Sequence, residues 1–388
     1  METIFELLYD NDLLRRELLD NFIPEAFDRK TAALLKQSGR SISAPRIKEL
    51  RFRSGDRLRQ HLPGDMKGWF PKKISWQQHR PMLEWIYFGR SDFSAPFYDQ
   101  MLLRHGQNPI NQLLGFTSPL DLVPKPEGPA PVPLSGLIFH ISRCGSTLVS
   151  QMLSAVNGHR VISEPGPVDA VLRGRFRDPS VGDDLRAQWL KRLVNIFGQR
   201  LTPRDRRLFI KLDAWHMMAL PLIHRTFPGV PILFLYRHPL EVLVSHERKP
   251  GRHTVPGEIP VEWFGGTKMQ LKDMGLDTYP VWVLESMLNT ACDHAESIRF
   301  SSMDYAQLPE SLWAIDNNPF GLNFSDGEIQ SMKAASGYYS KDPGRRFRND
   351  TREKQKSAGV KLRGLVKKMM LPTWEKWLES HGNRIRQP

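Results

Sequence analysis

Arg143, Gly145, Ser146 and Thr147 stand within five consecutive positions, RCGST, a few residues after the apolar run GLIF. A forked cation, a glycine that lets backbone come close to a ligand, and two hydroxyls make a set that holds an anion. At a helix start the free N–H groups add to it, and phosphate is the natural ligand. The Walker pattern GxxxxGK[ST] is absent, because Gly145 and not Lys precedes Ser146. A second set follows in YRHPLEVLVS: Arg237, Pro239 and Ser245. If Arg237 ends a strand and Ser245 lies two turns into the next helix, both reach one dianion, and Pro239 suits the first turn. Proton acceptors stand in RVISEP (Glu164) and in KLDAWH (Asp213 and His216), the latter beside the cation Lys211. Each set also has a structural reading. Ser146 and Thr147 would serve as helix caps, Arg237 would pair with a carboxylate, Lys211 would end a strand, and Glu164 would bridge to Arg173 or Arg175. Cys144 has no base beside it in sequence, so it is not read as a nucleophile.

The elements that must position these residues read as short apolar runs alternating with helical stretches. GLIFHIS, RVISEP, RLFIKL and VPILFLYR are strand candidates. STLVSQMLSAV places Leu148, Val149, Met152, Leu153 and Val156 on one helical face. This alternation predicts an α/β fold with a central parallel sheet, a P-loop-type strand-turn-helix and flanking helices. In such sheets ligands bind beyond the carboxyl ends of the strands, where every polar set above falls. Residues 1–123 read as a mostly helical region able to cap an acceptor site. The proline-rich stretch 124–135 reads as a linker or loop, and 136–388 as the α/β domain with a basic C-terminal segment.

Composition narrows the classes. The net charge is +13, and between Ser340 and Met370 eleven Lys or Arg face three Asp or Glu. Such a block is a nucleic-acid arm, a membrane-surface patch, a cover over an anionic ligand, or a solvated face. Two cysteines exclude a disulfide scaffold, and the first residues lack the features of a secretory signal, so the expected location is cytoplasmic.

The two phosphate sets together resemble the sulfotransferases that use 3′-phosphoadenosine 5′-phosphosulfate (PAPS). Their first loop reads roughly [KR]-S-G-[ST]-[ST]. RCGST matches it at Arg143, Gly145, Ser146 and Thr147 and departs at Cys144. The resemblance covers residues 136 to about 356. It implies that Arg143 meets the oxygen bridging phosphate and sulfate, and that Arg237 and Ser245 take the 3′-phosphate. It implies Lys211 at the transferring group and Glu164 as base, since tyrosylprotein sulfotransferases place a Glu at the same offset from the loop Arg. Asp213 and His216 are the alternatives. IRFSSMDYAQLP is similar to a late family segment; Asp304 fits it, while Ser302 stands where many relatives have Tyr. A late basic loop over the 3′-phosphate would be supplied by Arg346, Arg348 and Lys354. The implied activity is transfer of a sulfuryl group from PAPS to a hydroxyl of an unidentified acceptor, without a metal. The aromatic stretch Val261 to Glu285 is a candidate acceptor wall. A P-loop nucleotide kinase, a nucleic-acid-binding protein and a non-catalytic protein on the same fold are the other readings.

Overall fold

The computed structural model describes residues 2–56, 59–60, 63–123, 130–298, 300–314, 318–339, 342–346 and 351–382. In chain order the strands are β1 (Arg59–Gln60), β2 (Trp69–Gln77), β3 (Arg80–Tyr87), β4 (Phe116–Pro119), β5 (Leu134–His140), β6 (His159–Ser163), β7 (Arg207–Lys211), β8 (Ile232–Tyr236), β9 (Ser301–Asp304), β10 (Tyr338–Tyr339) and β11 (Asp342–Arg346). The helices of the first half are α1 (Glu2–Tyr9), α2 (Asp12–Leu19), α3 (Pro24–Gln37), α4 (Ala44–Asp56), α5 (Tyr98–Gly106), α6 (Pro109–Leu114), α7 (Ser146–Ser154), α8 (Gly166–Leu172) and α9 (Asp183–Phe197). Those of the second half are α10 (Leu220–Thr226), α11 (Pro239–Arg248), α12 (Lys268–Asp273), α13 (Thr278–His294), α14 (Asp326–Ser336), α15 (Thr351–Ser357), α16 (Val360–Leu365) and α17 (Leu371–Trp377). Among the described residues no helix is long and apolar enough to cross a membrane.

Two compact units form. One holds residues 1–133 with 164–208; the other holds 134–163 with 209–388. This division differs from the sequence expectation, in which 136–388 stood together. Within the first unit, residue 199 supplies one reason. The Gln199 side chain accepts from the Gly68 N–H at 2.9 Å and donates to the Trp69 carbonyl at 2.6 Å, filling an edge of β2. Tyr98 and Phe197 meet edge-on with centroids 5.5 Å apart. The N-terminal region carries a sheet as well as helices. Helices account for residues 2–56, but a sheet of order β1-β4-β3-β2 follows, with β2 and β3 antiparallel. Its core is aromatic: Trp69, Tyr87 and Phe116 are fully buried.

The second unit is the α/β unit. Its five-stranded parallel sheet has the order β6-β7-β5-β8-β9. All five residues of β8 are buried, as both faces of a parallel sheet are covered by helices. The expected apolar face of α7 lies in the core: Leu148, Val149, Met152, Leu153 and Val156 pack with Phe209, Leu233, Met303 and Met332. Burying each such side chain is worth about 1.5–3 kcal/mol. Strand register pairs His140 with Leu235 and Tyr236 with Asp304. The carboxyl ends of β5, β8 and β9 are therefore level, and their following loops share one edge of the sheet.

Candidate functional site

The turn from β5 into α7 is built from unusual backbone. Ser142, Arg143 and Gly145 have φ of 75°, 52° and 86°. For the two non-glycine residues this left-handed conformation costs about 1–2 kcal/mol each. Strain of this kind gathers at ligand-binding turns, and successive N–H groups in such turns form anion-holding concavities. His140, which sequence reasoning missed, holds the turn. Its Nδ1 accepts the Ser142 N–H at 3.0 Å, so Nε2 carries the proton and donates to the Leu212 carbonyl at 3.0 Å. That ties the turn to the residue after β7. Gly145 is required twice over. Besides its φ, a Cβ there would sit 2.6 Å from Leu308 Cδ1 and 3.0 Å from Tyr305 Cδ2. Ser146 and Thr147 do not cap α7 as the structural reading had it. The cap position is Gly145, without a side-chain bond, and both hydroxyl residues are buried in the first turn of the helix.

Arg237 follows β8 and is buried. Its Nε donates to Glu241 Oε2 at 2.6 Å, and Nη2 donates to Thr351 Oγ1 at 3.2 Å. Its Nη1 stands 3.5 Å from the Arg143 carbonyl oxygen, and the guanidinium lies 3.9 Å from the Tyr305 ring centroid. The two residue sets picked out in the sequence are thus neighbours. Ser245 stands one turn beyond Glu241 on α11, half-buried, with its hydroxyl donated to the Glu241 carbonyl at 2.8 Å. Arg143 reaches the Lys249 carbonyl through Nη2 at 2.6 Å. Pro239 opens α11 as expected.

At the end of β7, Lys211 is fully buried. Asp213 and His216 are engaged with each other: the Asp213 N–H donates to His216 Nδ1 at 3.2 Å, and His216 Nε2 is 3.7 Å from Asp213 Oδ2. Both are buried at the start of a short 3₁₀ turn. Glu164 directly follows β6, with φ 54° ahead of Pro165. A residue before proline avoids helical backbone, which makes this conformation another strained point in the chain. Arg173, offered by the sequence as a partner for Glu164, forms a forked pair with Asp169.

The remaining residues fall less centrally. Cys144 donates its thiol to the Leu235 carbonyl at 3.2 Å, and burial pushes its pKa up to about 12 against the pull of Lys211 and Arg237. It is a core thiol. Asp304 ends β9 and accepts the Ala306 N–H at 2.7 Å; burial, with Glu241 nearby, lifts its carboxyl above the ordinary value. Ser302 is buried within β9. Lys354 is buried on α15. Arg346 ends β11, and Arg348 lies outside the described residues. In the aromatic stretch, Trp263 and Phe264 are core residues, and Trp263 Nε1 donates to the Trp215 carbonyl at 2.7 Å. The sequence also missed Glu241 and Tyr305; a carboxylate four residues after Arg237 is the signal that would have found the first.

No family model matches the sequence, and no curated protein matches it. Among solved structures the chain is similar to a sulfotransferase of Mycobacterium avium, at 13% identity over 66% of this chain and 78% of that one, with a TM-score of 0.39. It is similar to the sulfotransferase domain of the Synechococcus PCC 7002 olefin synthase, at 13% identity over 65% of this chain and 96% of that one, with a TM-score of 0.34. It is similar also to the sulfotransferase domain of the curacin biosynthetic pathway, at 14% identity over 65% and 99%, with a TM-score of 0.34.

Proposed function

We propose that the chain is a sulfotransferase that takes its sulfuryl group from PAPS and passes it to a hydroxyl of an acceptor. The observation that carries the reading is the strained turn Ser142–Gly145 opening α7, with Arg237 3.5 Å from its backbone. A phosphate-holding turn with the buried Arg237 beside it suits a nucleotide bearing phosphate at two places. The turn, Ser146 and Thr147 hold the 5′ end, Arg143 and Lys211 meet the transferring group, and Arg237 with Ser245 takes the 3′-phosphate. Lys354 adds charge from α15, and Arg346 and Arg348 continue the basic segment.

In the transfer, the acceptor oxygen bonds to sulfur while the bond from sulfur to the bridging phosphate oxygen breaks. The acceptor proton passes to a base, and the charge left on the nucleotide is met by Arg143, Lys211 and the turn N–H groups. Glu164 is the proposed base. Its strained backbone at the end of β6 favours a functional placement. One observation favours a second reading, a non-catalytic protein. Arg237 pairs with Glu241, and the Ser245 hydroxyl is used within its own helix.

Incubation with labelled PAPS and a cell extract, followed by mass analysis of what gains sulfate, separates the two and identifies the acceptor. With that acceptor, Glu164→Gln should lower turnover about 10²–10⁴-fold. Donor affinity should stay within about threefold, because this reading gives the carboxylate the acceptor's proton and no part in holding the nucleotide. Unchanged turnover would move the base to Asp213 or His216.

A further inference from the structure

The strongest organisation near the proposed 3′-phosphate position belongs to a residue with no part in the sequence motifs. Glu241 uses its two oxygens on two different elements. Oε2 accepts from Arg237 Nε at 2.6 Å, and Oε1 accepts from Gln355 Nε2 of α15 at 2.8 Å. Both members of the ion pair are nearly inaccessible, with side chains 4% exposed. Tyr305 lies under the guanidinium plane at 3.9 Å. With Nε taken by Glu241 and one face covered by Tyr305, the Nη1–Nη2 edge points toward the Arg143 carbonyl and the Thr351 hydroxyl. α15 is seated by more than Glu241, since Arg248 also reaches Glu353 at 3.1 Å and Ser357 at 3.3 Å.

We propose that Glu241 is the positioning residue of the nucleotide site: it orients Arg237 so that its forked edge serves the 3′-phosphate, and it seats α15 so that the Thr351 hydroxyl joins the same phosphate. This rests on the donor reading above. The physical basis is the geometry of the guanidinium. A carboxylate on Nε fixes rotation of the whole planar group, and the remaining parallel donors are those that match a phosphate. A buried carboxylate also keeps the arginine charge compensated when no nucleotide is bound.

The test compares binding of adenosine 3′,5′-bisphosphate and 5′-AMP to the intact chain by calorimetry, for wild type, Glu241→Gln, Glu241→Asp and Thr351→Val. The wild type should prefer the bisphosphate by roughly tenfold or more, as a charged hydrogen bond at one phosphate implies. Glu241→Gln should cut that preference at least about fivefold while 5′-AMP affinity holds. Glu241→Asp keeps the charge but draws the carboxylate one methylene back from Arg237 Nε and should cut it also, which keeps the test open if Glu241→Gln does not fold. Thr351→Val should lower bisphosphate affinity alone. A folded Glu241→Gln that keeps the wild-type preference overturns the role given to Glu241, as does an undiminished preference in Glu241→Asp when Glu241→Gln is unfolded. An undiminished preference in Thr351→Val overturns the part given to Thr351. A wild type that binds both nucleotides equally overturns the donor reading itself, whatever the variants do.

Discussion

At the scale of single residues, burial shifts the protonation of groups beside the site, among them His238 and Cys144. His238 caps α11, its Nδ1 accepting the Leu240 N–H at 3.2 Å, which needs a neutral ring. Burial lowers its pKa below the ordinary 6.5, with Glu241 and Asp304 pulling the other way. As pH falls through 6.5 the unfolded chain takes up this proton before the folded one does. Its stability contribution is therefore present above that pH and lost below it. Chemical denaturation between pH 8 and about 5 should show the decline, and His238→Asn, which keeps an acceptor but does not titrate, should flatten it. Cys144 should not react with a thiol reagent at pH 8 until the chain unfolds, because its thiol is buried and pushed up to about 12. Rapid native-state labelling at Cys144 would contradict the packing described. Arg143, Gly145, Arg237 and Ser245 were legible in the sequence because each pairs a chemical type with a fixed spacing. His140 and Tyr305 were not, since a histidine within an apolar strand and a tyrosine in a late loop carry no spacing of their own.

At the scale of elements, β9 (Ser301–Asp304) lacks an apolar run, but the other four strands of the α/β unit were readable because a doubly covered strand must be a continuous apolar run. The β2–β3 hairpin was not. Its turn residues are Gln78 and His79, with φ of 45° and 64°, where the usual sequence signal is Asn-Gly. Its first strand carries Pro71 and two lysines, which blur the alternation. The turn into α7 had the same concealment: glycine was visible at position 145, but left-handed Ser142 and Arg143 have no residue-type signature. That turn makes its own prediction. Gly145→Ala must adopt φ near 86° and push Leu308 and Tyr305 aside. The variant should lose about 1–3 kcal/mol of stability, read by denaturant unfolding, and bind adenosine 3′,5′-bisphosphate more weakly than wild type. A variant as stable as wild type would show that the turn relaxes freely.

At the scale of the whole molecule, the division into units was the least legible feature. It rests on contacts such as that of Gln199 with Gly68, 131 positions apart in the chain, which no local pattern announces. The net charge of +13 was legible at once, and the structure seats part of it, on α15, against Arg237 and Glu241. An anion site in a field of this sign should bind its nucleotide faster at low salt, with association slowing several-fold between about 50 and 500 mM salt. Salt-independent association would argue that the charge serves something else. The central claim is that the strained turn and Arg237 together hold a nucleotide phosphorylated at both the 5′ and 3′ positions. Calorimetric titration of the wild-type chain with adenosine 3′,5′-bisphosphate and with 5′-AMP tests it most directly. The expected result is one site, with the bisphosphate bound at least about tenfold more tightly; equal affinity for the two, or no binding of either, would contradict it.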